Sequence, residues 1–219
     1  ARYAENTGFD LLIVAAPYFA TRTEDQVVQW VDQLAENTNL AIMYYNSPQF
    51  GMVLNADGLD RVCDIPNVVG VKEASFDPEL SVNTHLKIGT KAIISTPDEW
   101  IFQKGQELGF EQQVMFANTS DWRFDTADEN YYVQYINKVM EGNLDNDFYD
   151  LKVKPIKEVS DKWWKYTVQK MGGALPASLC KYWGEIMGMS GGHVRAPLTD
   201  LTDDEKKQLR TDIEAASNK

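Results

Sequence analysis

Val68-Val69-Gly70-Val71-Lys72-Glu73-Ala74-Ser75 decides the fold: a short, β-branched apolar run ends in a single lysine and passes into a polar turn. Pro66 and Asn67, just before it, are a loop signal. The run is too short for a helix and rich enough in valine to be a buried strand over Val68–Lys72. A strand covered on both faces cannot easily hide an ammonium group. Two readings of Lys72 stand on this stretch alone. Its side chain leaves the strand for solvent, or it ends the strand pointing inward. In the second case burial lowers the amine pKa, which suits Schiff-base chemistry.

Working outward, the same unit recurs. Asp10–Ala16 is a short apolar run stopped by Pro17-Tyr18-Phe19, and Thr23 caps an amphipathic helix through about Glu36, with Val27, Val28, Val31 and Leu34 on one face. Leu40–Tyr45 is the next strand, stopped by Asn46-Ser47-Pro48, and a short helix follows over Ala56–Cys63. After the Lys72 strand come a helix over Pro78–Lys87, a strand over Ala92–Ser95, a helix over Asp98–Leu108 closed by Gly109, and a fifth strand over Gln113–Ala117. Such alternation predicts parallel strands joined by helical crossovers, with chemistry at the carboxyl ends of the strands. Those ends carry Tyr18, Tyr45, Lys72, Ser95-Thr96 and Asn118. A phenol beside an amine can relay protons. Tyr45 reads equally as an amphipathic core aromatic.

Beyond Asn118 the pattern turns helical: Asp128–Gly142, Phe148–Lys170, Pro176–Gly188, an irregular Met189–Leu201, and a terminal helix that Thr202 caps with Asp203, Asp204 and Glu205 in its first turn. Trp163, Trp164, Tyr166, Tyr182 and Trp183 read as packing between these helices, and His85 and His193 receive no chemistry. The net charge of -12, from 21 Lys and Arg against 33 Asp and Glu, argues against nucleic acid and against an anionic membrane surface as partners. Cys63 and Cys180 have no metal spacing and suggest no disulfide framework, which points to a reducing, cytoplasmic compartment. No apolar run approaches the roughly 20 residues of a membrane span, and Ala1–Gly8 reads as the end of a helix, so the chain is expected to be a piece of a longer protein.

Pro17-Tyr18-Phe19, Tyr45-Asn46-Ser47-Pro48, Val68–Ala74 and, in the tail, Lys181, Gly188 and Val194-Arg195-Ala196-Pro197-Leu198 occur in order. Together they resemble the dihydrodipicolinate synthase / N-acetylneuraminate lyase family of class I aldolases, over nearly the whole chain. The resemblance implies an α/β fold of the (β/α)8 TIM-barrel type, represented here by strands 4–8 plus a C-terminal helical appendage. Residues 1–125 are then the later part of the barrel, and residues 126–219 the C-terminal helices, including the last barrel helix. It implies that Lys72 forms a Schiff base with pyruvate or another 2-oxo acid and that Tyr45 relays protons. It also implies that Tyr18, Thr96 and Val114 line the substrate pocket, that no metal or organic cofactor is needed, that an aldehyde is the second substrate, and that the protein is a homo-oligomer, a dimer or tetramer.

The sequence departs from the family pattern at three places. The first three strands, with the Gly-Thr/Ser-Thr-Gly-Glu segment that holds the pyruvate carboxylate, have no counterpart. Phe19 stands where family synthases often carry a second tyrosine of the relay. Gln49-Phe50-Gly51 stands where the synthases place an arginine for the second substrate's carboxylate. The departures turn the expectation away from the lysine-biosynthetic synthase and toward an aldolase or lyase with a less acidic partner. The alternative is a catalytically silent or truncated homologue acting as a scaffold.

Overall fold

The computed structural model describes residues 1–116, 124–126 and 128–217. The chain divides into two compact units, Ala1–Asn118 and Thr119–Lys219.

In the first unit the strands β1 (Leu11–Val14), β2 (Ala41–Asn46), β3 (Val68–Glu73) and β4 (Ile93–Ser95) form one parallel sheet in the order β1-β2-β3-β4. Helices α1 (Arg2–Asn6), α2 (Glu24–Ala35), α3 (Ala56–Cys63), α4 (Pro78–Ile88) and α5 (Trp100–Leu108) alternate with them. The starts and stops follow local chemistry. Thr23 and Gln26 make a reciprocal capping box on α2, and Asn55 caps α3 through the Gly58 N–H at 2.9 Å. Asp77 caps α4 ahead of Pro78, while Gly109, at φ 81°, ends α5 in the left-handed conformation.

One apolar cluster joins Val27 and Val31 of α2, Leu59 and Val62 of α3 and Ile88 of α4 to Ile42, Tyr44, Val71 and Ile94 of the sheet. These three helices therefore pack on one face. That follows from sequential strand order with crossovers of constant hand, whereas a doubly wound sheet reverses its order and takes helices on both faces. The other face carries Met43 and Tyr45 of β2, Gly70 and Lys72 of β3, and Ile93 and Ser95 of β4, which are partners in register.

A bulge sets that partition. Ile42 pairs with Val68 but Met43 pairs with Gly70, so Val69 is an extra residue on β3. Strict alternation would put Val68 on the same face as Lys72. With the bulge, Val68 and Val71 both enter the helix-facing cluster and Lys72 takes the opposite face.

The fifth strand expected at Gln113–Ala117 is not formed: residues 113–116 carry no ladder, and Ala117 lies outside the described residues. Side chains take the main-chain groups that a ladder would use. Gln112 Oε1 accepts from the Thr96 N–H at 2.6 Å, and Ser95 Oγ accepts from the Phe116 N–H at 2.8 Å.

The second unit is helical: α6 (Tyr131–Met140), α7 (Asn146–Phe148), α8 (Lys154–Lys170), α9 (Ala177–Ile186) and α10 (Asp203–Ser217). The single helix expected over Phe148–Lys170 is interrupted by a π-helical turn at Tyr149–Val153, just before Pro155 removes a helical donor. Trp183 and Leu179 of α9 are fully buried, with the Phe124 ring 6.1 Å from Trp183 and 5.2 Å from Tyr132. Trp163 is buried and donates its indole N–H to Asp212 at 2.8 Å, tying α8 to α10. Tyr166 stays exposed and bonds Glu205 at 2.6 Å.

Candidate active site

The carboxyl ends of β2 and β3 bring Tyr45 and Lys72 together. They are direct partners in the ladder, and the Lys72 Nζ lies 4.8 Å from the centre of the Tyr45 ring. Lys72 is only 9% exposed, so the inward reading of this lysine is the one realised. The Tyr45 ring also packs on Phe50 at 5.0 Å, and burial pushes its phenol pKa above the ordinary value. The phenol therefore keeps its proton at neutral pH. Ser95, fully buried, is the β4 partner of Lys72 and completes a row of three polar side chains across adjacent strands.

The other residues singled out in the sequence lie differently. Thr96 is buried, but its hydroxyl faces α4, 3.2 Å from His85 Nε2. Val114 is half-buried in the unladdered segment. Tyr18 is 63% exposed, its ring edge-on to Phe19 at 5.4 Å. Its backbone sits so close to Gly51 that a Cβ there would lie 2.9 Å from Tyr18 Cα, and Gly51 also holds a φ of 107°, so the turn after Tyr45 meets the Pro17-Tyr18-Phe19 loop only through glycine.

Sequence reasoning missed the polar layer behind these residues. Asn46 follows Tyr45, Glu73 follows Lys72, and both are fully buried. Asn46 Oδ1 accepts from the Leu54 N–H at 2.9 Å, while its Nδ2 donates to Leu54 O at 3.0 Å and to Glu73 Oε1 at 3.4 Å. Glu73 Oε1 also accepts from the Ser75 N–H at 3.1 Å, and Oε2 accepts from the Ser81 hydroxyl. Burial raises the Glu73 carboxyl pKa, opposed by the bonds from Ser81, Ser75 and Asn46. The available signal was parity: a residue after an inward lysine must point toward the helices.

A second buried group lies behind β4. The His85 ring stacks on Phe110 at 4.6 Å and is 2% exposed. Burial pulls its pKa down to about 4 against the opposing effect of Gln112, so it is neutral at pH 7. Among the described residues, His85 Nδ1 and Gln112 Nε2 have no hydrogen-bond partner. Among the described residues, no group of three or more His, Cys, Asp or Glu side chains is placed to hold a metal ion, and no helix is long and apolar enough to cross a membrane.

The first unit is thus a parallel α/β sheet with its helices on one face and with a lysine and a phenol paired at the carboxyl ends of adjacent strands. The chain belongs to the Dihydrodipicolinate synthetase family, whose profile matches residues 1–216. It is 26% identical over 207 residues to a probable 5-dehydro-4-deoxyglucarate dehydratase of Streptomyces coelicolor, covering 91% of this chain and 58% of that protein. A 4-hydroxy-tetrahydrodipicolinate synthase of Clostridium perfringens is 33% identical over 78 residues, 35% of this chain and 27% of that one. Among solved structures, DHDPS from Cyanidioschyzon merolae with lysine bound superposes with a TM-score of 0.74 at 19% identity, over 98% of this chain and 68% of that chain. The chain spans about three-fifths of the length of the dehydratase relatives from Streptomyces coelicolor and Ralstonia nicotianae, 58% and 62%.

Proposed function

We propose that this chain carries the reacting lysine of a class I, Schiff-base aldolase or lyase acting on pyruvate or another 2-oxo acid. The carrying observation is the pairing of Lys72 with Tyr45 at the ends of β3 and β2, with Lys72 nearly sequestered from water. On this reading the neutral Lys72 amine attacks the ketone carbon, the ketone oxygen leaves as water, and an iminium forms. Loss of a proton from the neighbouring carbon gives an enamine, which adds to an aldehyde; the reverse sequence cleaves the same bond. Tyr45 is the proton carrier at the hydroxyl that forms or collapses. Tyr18, Thr96 and Val114 belong to the pocket wall, Thr96 and Val114 partly through backbone atoms. Neither metal nor organic cofactor enters these steps.

The relatives named 5-dehydro-4-deoxyglucarate dehydratase favour a variant of the same chemistry. Such a substrate is itself a 2-oxo acid, and the enamine formed from it can expel the next hydroxyl as water. An aldehyde acceptor is then unnecessary, in keeping with Gln49-Phe50-Gly51 in place of an arginine after Pro48. The strands β1–β4 correspond, on this reading, to later strands of a (β/α)8 barrel, residues 1–125 to its later part, and residues 126–219 to its closing helices. The assembly is a homo-oligomer, and the compartment cytoplasmic.

The test is reductive trapping. The protein is incubated with borohydride and either pyruvate or 5-dehydro-4-deoxyglucarate, and its intact mass is measured. An adduct that maps to Lys72 and is lost in Lys72→Ala supports the reading. No adduct with either 2-oxo acid overturns it and leaves the scaffold alternative.

A further inference from the structure

We propose that Asn46 and Glu73 form a positioning clamp that fixes the relative placement of Tyr45 and Lys72; this rests on the Schiff-base reading of the site. The two residues that follow the reacting pair point to the opposite face of the sheet and are hydrogen-bonded to each other at 3.4 Å. Each is fully buried, and each is tied to a different piece of chain. Asn46 holds Leu54 through both its amide atoms, and its own carbonyl accepts from the Ala74 N–H at 2.9 Å. Glu73 holds the Ser75 N–H and, through Ser81, the first turns of α4. The ends of β2 and β3, the turn after each, and α4 thus meet at one buried amide–carboxyl contact.

The geometry needs this device. β3 is bulged at Val69, and a bulge locally disrupts the ladder and lets the strand bend. Past it only three register pairs remain to β4, the last at Lys72 itself. The β2–β3 ladder ends at the Asn46–Glu73 pair, so the last point at which the two strands can be locked together is the residue next to each reacting side chain. The clamp is made of hydrogen bonds among buried groups. A change that leaves one of them unsatisfied should therefore move the strand ends, whereas an isosteric amide should hold them.

The test compares Glu73→Gln, Glu73→Ala, Asn46→Ala, the Asn46→Ala/Glu73→Ala double variant, and the milder Ser81→Ala. Two readouts are used. One is the rate of borohydride trapping with pyruvate and with 5-dehydro-4-deoxyglucarate. The other is the pH profile of Lys72 acetylation by acetic anhydride, read by peptide mass spectrometry with other lysines as internal standards. The expected result is a loss of about 100-fold in trapping for either alanine variant, no further loss in the double variant, and retention within about threefold for Glu73→Gln. The acetylation profile of Lys72 should move in the alanine variants alone, with surface lysines unchanged. Independent, multiplying losses in the double variant overturn the clamp. So does a Glu73→Gln as impaired as Glu73→Ala, or a Lys72 profile that none of the variants moves. If the alanine variants do not fold, Ser81→Ala and Glu73→Gln decide: wild-type trapping and profile for Ser81→Ala overturns the claim that α4 is part of the clamp. If the unaltered protein traps no 2-oxo acid, the functional reading fails. The acetylation profile, which needs no substrate, still tests the positioning.

Discussion

Replacing Gly70 by alanine should damage both the fold and the site. A Cβ at position 70 would overlap the Ile93 carbonyl oxygen on the neighbouring strand and lie 3.0 Å from its carbonyl carbon and 3.1 Å from the Ile93 Cβ. Two of these three are main-chain atoms, so no rotamer change relieves them. β3 and β4 must part by at least about 1.3 Å to reach ordinary van der Waals distance. Their ladder consists only of Gly70–Ile93, Val71–Ile94 and Lys72–Ser95. With each ladder bond contributing about 1 kcal/mol net, weakening two or three of them costs about 2–3 kcal/mol. That falls in the range of 1–3 kcal/mol found for overpacked interiors. Lys72 is two residues along the displaced strand, and a misplacement of about 1 Å can cost about 100-fold in rate. Urea unfolding monitored by far-UV circular dichroism gives the first quantity and borohydride trapping the second. Val69→Ala, at the half-exposed bulge, is the control and should stay within about 0.5 kcal/mol of wild type. A Gly70→Ala protein as stable as that control, with undiminished trapping, would refute the reasoning.

His85 makes stability fall with acid. Its folded pKa lies at about 4 against an ordinary 6.5, so below pH 6.5 the unfolded chain takes up a proton that the folded chain excludes. The contribution lost between pH 6.5 and pH 4 is about 3 kcal/mol. His85→Gln should flatten that part of the stability–pH curve in urea melts at pH 4, 5, 6 and 7, and an unchanged slope would count against a buried neutral imidazole. In the second unit, Trp183→Ala empties a fully buried indole site beside Phe124 and should cost about 3–5 kcal/mol. A change below about 1 kcal/mol in thermal or urea unfolding would show that the site collapses without loss.

Most element positions were legible because their signals are local. Thr23, Asn55 and Asp77 announce α2, α3 and α4 by capping, Gly109 announces the end of α5, the short apolar run Leu40–Tyr45 announces β2, and the valine-rich run Val68–Val71 announces β3. The adjacency of Tyr45 and Lys72 was legible for the same reason, since successive parallel strands align their carboxyl ends. The failures are where a long-range partner competes with a local preference. Gln113–Phe116 has strand composition, yet Ser95 and Gln112 side chains satisfy the groups that would have made the ladder. Phe148–Lys170 reads as one helix, yet Pro155 falls where the helix must change its winding.

The sequence by itself determined the alternation of strands and helices, their parallel order and the presence of a lysine at a strand end. These depend on periodicity, capping and chain connectivity, which act within a few residues. Only the tertiary structure decided which face Lys72 occupies. The extra residue at Val69 inverts the parity of the strand, and a bulge is created by the register between β2 and β3, not by β3 alone. The tertiary structure likewise made Asn46 and Glu73 partners. Separated by 27 residues in sequence, they meet because each follows one member of a paired rung and must point to the side the other cannot use.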